Sequence, residues 1–265
     1  MGLREKIDNI INSTEANVGV AVKTLNNQDI ISINEDRIFP SASLIKLYTL
    51  AEACRQMKEN KIKLSQKILL TDEVKVGGDG ILKELNSGHK LTVEELLILM
   101  IIISDNTAAN IIIDLIGMEN INDFIRTMGF DSTVLQRKMM DFKAAKAGKQ
   151  NFTSTKDVLK FFDYLYKGIL IDRESSRFMI EILKRQQVTG RLDLYLPEEI
   201  IIAHKTGDLD YLEHDAGIVC LENNHYIICV LTDNNISNKD GREIIGKISK
   251  LVYQEFSKNI LLHRD

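Results

Sequence analysis

The spacing of apolar residues changes period twice along the chain and divides it into three regions. Leu3, Ile7, Ile10 and Ile11 recur at helical spacing, so residues 3–11 read as an amphipathic helix with one buried stripe. Val18 to Leu25 and Asp29 to Ile33 are rich in β-branched residues on either side of Asn26-Asn27, a polar break that suits a hairpin of two antiparallel strands. From Ser43 to about residue 187 the period is helical, with strand signals nearly absent. Leu44, Leu47, Leu50 and Ala51 mark the first stripe of this region. Thr71 to Lys75 reads as extended, and Val76-Gly77-Gly78-Asp79-Gly80 as a tight rim loop that lacks the lysine-serine context of a phosphate cradle.

Thr92 with Glu95 spells a capping box for Val93 to Ile103, a helix apolar enough to be fully buried. Thr107 to Ile116 and Asn120 to Met128 read as helices stopped by Gly117 and Gly129. Ser154 and Asp157 cap Val158 to Tyr166, which Gly168 stops, and Asp172 starts a helix running to about Gln186. Near Ile200 the pattern reverts to strand: Ile200 to Lys205, Ala216 to Leu221 and His225 to Thr232, the last two joined at Asn223-Asn224. An amphipathic helix, Glu243 to Phe256, ends the pattern. The simplest assembly is an α/β (α+β) fold with one five-stranded antiparallel sheet flanked by terminal helices and an inserted all-helical lobe. Residues 1–42 and 188–265 form the sheet lobe and 43–187 the helical lobe, which places Ser43 at a cleft between them.

Composition narrows the partners. A net charge of -4 with no basic block argues against nucleic acid, and 265 residues with 44% hydrophobic content suffice for two lobes with substantial cores and a monomer as the default. The longest apolar run, Leu96 to Ile103, is too short to span a bilayer, and the first residues lack an apolar signal core. The expectation is a cytoplasmic protein as sequenced, or an extracytoplasmic one if the chain was trimmed. Cys54, Cys220 and Cys229 form no disulfide framework, which fits a reducing compartment. His204, His214, Cys220, His225 and Cys229 gather in the C-terminal strands, but at no zinc spacing, so no metal and no cofactor are expected.

Three short motifs carry the chemistry. In Ser43-Leu44-Ile45-Lys46 the serine and lysine are three residues apart, so at a helix start they share one face, and an amine beside a hydroxyl can take its proton. The helix N-terminus favours the oxyanion formed when a carbonyl is attacked. A second match, Ser87 to Lys90, reads as a solvated turn because no apolar helix follows its serine. Ser104-Asp105-Asn106 lies between two helices and Lys205-Thr206-Gly207 ends a strand. Taken singly these are a helix cap and a strand end. Together and in this order they are the set found in class A β-lactamases and penicillin-binding proteins.

The chain resembles the class A β-lactamase family over roughly residues 17–255, in FPSASLIK, in LTVEELLILMIIISDNTAANIII, and in HKTG with Ala216-Gly217-Ile218-Val219. The resemblance implies that Ser43 is acylated and activated by Lys46, that Ser104 passes a proton to the leaving nitrogen, and that Asn106 binds the substrate amide. It further implies that Lys205 and Thr206 hold a carboxylate, and that the backbone N–H groups of Asp208, after Gly207, and of Ser43 form an oxyanion hole. The implied substrate is a small β-lactam or a peptidoglycan-like amide.

Two departures qualify this. Family members that destroy β-lactams have a loop glutamate that activates water, whereas Leu135 to Phe152 contains no glutamate. Its one carboxylate, Asp141, lies among Arg137, Lys138, Lys143, Lys146 and Lys149 and is the candidate water activator, with a helix cap as its alternative role. The basic loop also suggests an anionic acyl donor. An arginine expected on the strand facing Lys205-Thr206-Gly207 is replaced by Glu213-His214-Asp215, where His214 could substitute in part. The readings left open are a β-lactam hydrolase with slow deacylation, a penicillin-binding peptidase or esterase, and a non-catalytic binding module with the same cleft.

Overall fold

The computed structural model describes residues 1–26, 28–222 and 224–261. In chain order come α1 (Leu3–Asn12), β1 (Asn17–Thr24), β2 (Ile30–Ile33), β3 (Phe39–Pro40), α2 (Ile45–Lys58), β4 (Lys67–Leu69), β5 (Lys90–Thr92), α3 (Val93–Ile102), α4 (Asn106–Ile116), α5 (Met118–Thr127), α6 (Phe142–Lys146), β6 (Phe152–Thr153), α7 (Thr155–Lys167) and α8 (Arg173–Leu183). The chain returns through β7 (Ile201–Leu209), β8 (Leu212–Cys220) and β9 (Tyr226–Asp233) to α9 (Asn238–Leu261). Five strands form one antiparallel sheet in the order β2-β1-β9-β8-β7, so the first and last parts of the chain meet where β1 pairs with β9. Asn27 and Asn223, on which the two hairpin breaks were placed, lie outside the described residues.

Period-two alternation gives the sheet two apolar faces. Val20, Val22, Val219, Ile228 and Val230 pack with Ile7 of α1 and with Ile245, Ile248 and Val252 of α9. Ala21, Ala203, Ala216, Ile227, Cys229 and Leu231 join a second core with α2, α3, α4, α5, α7 and α8. This second core runs without a break from the sheet into the helices. The buried pair Lys23 Nζ–Asp163 Oδ1, at 2.7 Å, ties β1 to α7 across it.

Local chemistry places the helices. Thr92 and Glu95 make the reciprocal capping box, Ser154 and Asp172 accept from Asp157 and Ser175 N–H, and Gly168 closes α7 at φ 70°. Several expectations change. Thr71 to Lys75 is not extended but holds a single 3₁₀ turn, Asp72–Val74. The helix α3 is buried only at Val93, Leu96, Leu97, Met100 and Ile101, because Glu94 and Glu95 face solvent. The first stripe of α2 is instead burial on every side, unbroken from Ser43 to Cys54. Two short ribbons, β3 with β6 and β4 with β5, interrupt the helical region. The second serine-lysine match lies there, with Lys90 in β5 and the exposed Ser87 Oγ bonded to Asp72 at 2.6 Å. The hairpin β7–β8 is longer than its apolar run, pairing from Ile201↔Cys220 to Leu209↔Leu212. All three cysteines are free thiols, and no described helix is long and apolar enough to cross a membrane.

Candidate active site

Ser43 sits in a 3₁₀ turn, Ala42–Leu44, that leads directly into α2. The turn is held from behind. Ser41 N–H donates to Asn151 O at 2.8 Å, and His214 Nε2 lies 2.8 Å from Pro40 O. Burial lowers the His214 pKa to about 4, so the ring is neutral with one N–H, which either Pro40 O beside Nε2 or Glu213 O, 2.8 Å from Nδ1, can accept, while Thr232 N lies 3.2 Å from Nδ1. His214 is therefore a buried prop of the nucleophile turn and does not stand in for an arginine that binds substrate.

Gly207 explains how β7 reaches the serine. A Cβ there would lie 3.1 Å from Ser43 N and 3.2 Å from Ala42 Cβ, so the absence of a side chain lets the strand edge lie against the turn. Asp208, the next residue, lines the same cavity as Ser43. The backbone groups assigned to an oxyanion hole thus come from neighbouring stretches.

The second motif enters from the α3–α4 junction. Asp105 caps α4 through Ala108 N–H at 2.8 Å, and Ser104 takes φ 57°, a left-handed turn that aims it between two lysines. Ser104 Oγ is 3.1 Å from Lys46 Nζ and 3.2 Å from Lys205 Nζ. Lys46 also donates to Ser104 O at 2.5 Å and Asn106 Oδ1 at 2.8 Å, and Lys205 to Thr206 O at 2.8 Å. Both ammonium groups are fully buried. Desolvation is the main force on each: it lowers Lys46 to about 7 against the pull of Asp79, Asp105 and Asp208, and it lowers Lys205 well below the usual lysine range. Repulsion by Lys46 is the second cause at Lys205. Burial thus outweighs the mutual lysine repulsion expected from the sequence.

The cavity holds about 530 Å³ and runs from this cluster between two walls. One wall is the loop before β6, which contributes Arg137, Met139, Met140 and Phe142. Two asparagines pin that loop: Asn110 bonds both N–H and C=O of Met139 at 2.8 and 3.0 Å, and Asn151 Oδ1 accepts from Gln136 and Arg137 N–H at 2.7 and 3.0 Å. Asp141 does not line the cavity. Its Oδ1 accepts from Ala144 N–H at 2.9 Å and caps α6, which is the alternative role foreseen for it. Lys143, Lys146 and Lys149 are exposed and also absent from the cavity wall, while Lys138 pairs with Asp114.

The other wall is the end of β7 with the start of α9, where Asp208, Leu209, Asp210, Glu213 and Arg242 face the space. Arg191, buried just before β7, joins them from behind, bonding Glu213 Oε2 at 2.6 Å and Asp208 Oδ1 at 3.0 Å. Arg137 and Arg242 are the arginines of the cavity, and sequence reasoning missed Arg191 and Arg242. Neither lies in a motif, and only the fold brings the Arg191 loop and α9 to the end of β7. His204, behind the site, holds Asp215 at 2.8 Å, and Gly217 leaves room for it, since a Cβ at 217 would lie 2.5 Å from His204 Cβ.

Residues 2–256 match the model of the β-lactamase enzyme family. β-Lactamase VEB-1 of Pseudomonas aeruginosa is 26% identical over 267 residues, covering 95% of this chain and 89% of that protein. The β-lactamase structure from Sphaerobacter thermophilus superposes with a TM-score of 0.89 at 28% identity, covering 97% of both chains. A PBP-A mutant, solved as an acyl-enzyme complex with penicillin G, gives 0.89 at 27% identity, covering 97% of this chain and 96% of that one. With a family match over nearly its whole length and this common fold, the chain belongs to the β-lactamase enzyme family and is a class A β-lactamase-like hydrolase.

Proposed function

We propose that the chain opens β-lactams by acyl transfer to Ser43. The observation that carries this is Ser104 Oγ, held between the two buried amines of Lys46 and Lys205 at 3.1 and 3.2 Å, with Lys46 three residues after Ser43. In the neutral form Lys46 has two N–H donors and one lone pair. Its donors can stay on Ser104 O and Asn106 Oδ1 while the lone pair takes a proton. Ser43 Oγ attacks the lactam carbonyl carbon and its proton passes to Lys46. The oxyanion faces the N–H groups of Ser43 and Asp208. As the C–N bond breaks, Ser104 gives its proton to the departing nitrogen and is reprotonated from Lys46. Lys205 and Thr206, with Arg242 on the same wall, favour a carboxylate on the leaving side.

The next step is slow. Hydrolysis of the ester needs a group that activates water, and the pinned loop turns two methionines and a phenylalanine to the cavity while Asp141 is spent on a helix cap. This wall favours a long-lived acyl-enzyme like the penicillin complex solved for the PBP-A mutant, and with it a penicillin-binding role for this chain toward a peptidoglycan-like amide or ester.

Intact mass of the protein with excess benzylpenicillin, followed beside hydrolysis of a chromogenic cephalosporin, tests both parts. The expected result is one adduct per chain that forms fast, decays slowly and is absent in Ser43→Ala. An adduct retained in Ser43→Ala overturns the assignment of the nucleophile. Rapid turnover with no lasting adduct overturns the slow step.

A further inference from the structure

The rim loop on the α4 side of the cavity is built to display one side chain. In Gly77-Gly78-Asp79-Gly80 the aspartate is the only residue with a side chain, and its neighbours are glycine for a steric reason. Gly78 and Gly80 take φ 74° and 101°, a Cβ at 78 would lie 2.5 Å from Asn106 Nδ2, and a Cβ at 80 would lie 2.2 Å from the Asp105 carboxyl. The loop is also bonded down on both sides of Asp79. Asn106 N–H donates to Asp79 O at 3.0 Å, Asn106 Nδ2 to Gly77 O at 3.2 Å, and Asp105 Oδ2 accepts from Ile81 and Leu82 N–H at 2.7 and 2.9 Å. Asp79 is thus fixed beside Asn106 on a rigid support.

Its carboxylate is exposed, lines the cavity with Ser43, and makes no ion pair with any described residue. Of the lining carboxylates on the opposite wall, Asp208 is tied to Arg191 and Glu213 to Arg191 and Arg242, while Asp210 is exposed at the β7–β8 turn, away from Asn106. The lysines of the opposite loop do not reach the cavity, and Arg137 is the one cation of that loop that lines it, on the wall facing the glycine-rich loop. Asn106 spends Oδ1 on Lys46 and one Nδ2 hydrogen on Gly77, which leaves the other for a substrate amide. Gly78 lies against this amide and Asp79 follows it, so the carboxylate nearest the free Asn106 hydrogen on this rim is that of Asp79.

We propose that Asp79 selects acyl donors that carry an ammonium group on the acyl arm, one bond or two beyond the amide held by Asn106. The substrate class is then zwitterionic, with a carboxylate at the Lys205 and Thr206 end and a cation at the Asp79 end, as in an amide of an amino acid with a free amine. This rests on acylation of Ser43 as proposed above.

Ampicillin and benzylpenicillin test it, because they share an aromatic arm and differ by one amine. Second-order rates of adduct formation are measured for both at about pH 6, below the usual α-amino range, so that the amine is charged. The ratio of ampicillin to benzylpenicillin rates is expected to fall about tenfold in Asp79→Asn, further in Asp79→Lys, and to shrink in the parent as salt is raised. Melting curves of the three proteins guard against a folding defect. A ratio unchanged in both variants, with adducts still forming, overturns the role of Asp79 and leaves acyl transfer standing. No adduct with either penicillin in the parent overturns the acyl-transfer reading and this inference with it.

Discussion

On the proposed acyl transfer, two residues decide how fast the site starts and whether it finishes. Lys46 acts as a base only when neutral, and burial brings its pKa down to about 7. Because the folded-state value is depressed, the base form grows as pH rises through that value. Adduct formation on Ser43 is therefore expected to rise with pH on a limb centred near about 7 and then level off. A rate that is flat across this range would remove Lys46 from the base role. Met139 decides the second half. Its backbone is clamped at both polar atoms by Asn110 and its side chain lines the cavity, so Met139→Glu should set a carboxylate where water can reach the ester. The adduct of this variant should decay faster by about tenfold or more. Decay at the parent rate would mean that position 139 does not face the acyl bond.

At the scale of elements, the site depends on an edge strand lying unusually close to a turn. The β7 edge approaches Ser43 N so nearly that a Cβ at 207 would lie 3.1 Å from it and the turn or strand would have to give. Gly207→Val is expected to displace the strand and slow adduct formation by about 10²-fold while the fold survives, read as rate against melting temperature. An unchanged rate would show that the strand is free to shift.

The sequence displayed the elements well where local chemistry sets them: the capping box at Thr92, the glycine stops at 117 and 168, and the β-rich runs of β1 and β9. It hid β7 beyond Lys205, because Thr206-Gly207-Asp208 has the composition of a strand end and pairs only through tertiary contact with β8. It hid the roles of His214 and Arg191 for a similar reason. Whether a polar side chain in a strand meets substrate or props a turn depends on partners far along the chain, here Pro40 for His214, and Asp208 with Glu213 for Arg191. Ser43 and Lys46 were legible because their spacing at a helix start is itself a chemical requirement, whereas Ser104 and Asn106 read alone as a helix cap and gained their roles from the resemblance.

For the whole molecule, the sheet and the inserted helices share a core pinned by Lys23 and Asp163, whose side chains are 9% and 11% exposed. Removing one partner leaves a buried charge unpaired. Asp163→Ala should cost about 3 kcal/mol in a denaturant titration, whereas Lys23→Met with Asp163→Leu should recover most of it. Equal losses in the single and double variants would show that the pair contributes by itself and not through the penalty of an orphaned charge.

The burial of α2 on every side has one more consequence. Ser43 and Lys46 ride at the start of the longest unbroken run of burial among the described residues, from Ser43 to Cys54. Such a helix does not fray ahead of its surroundings. Reactivity toward penicillin therefore works as a gauge of intactness: a chain that can still take the label is a chain that is still folded, and the two properties should disappear together on heating.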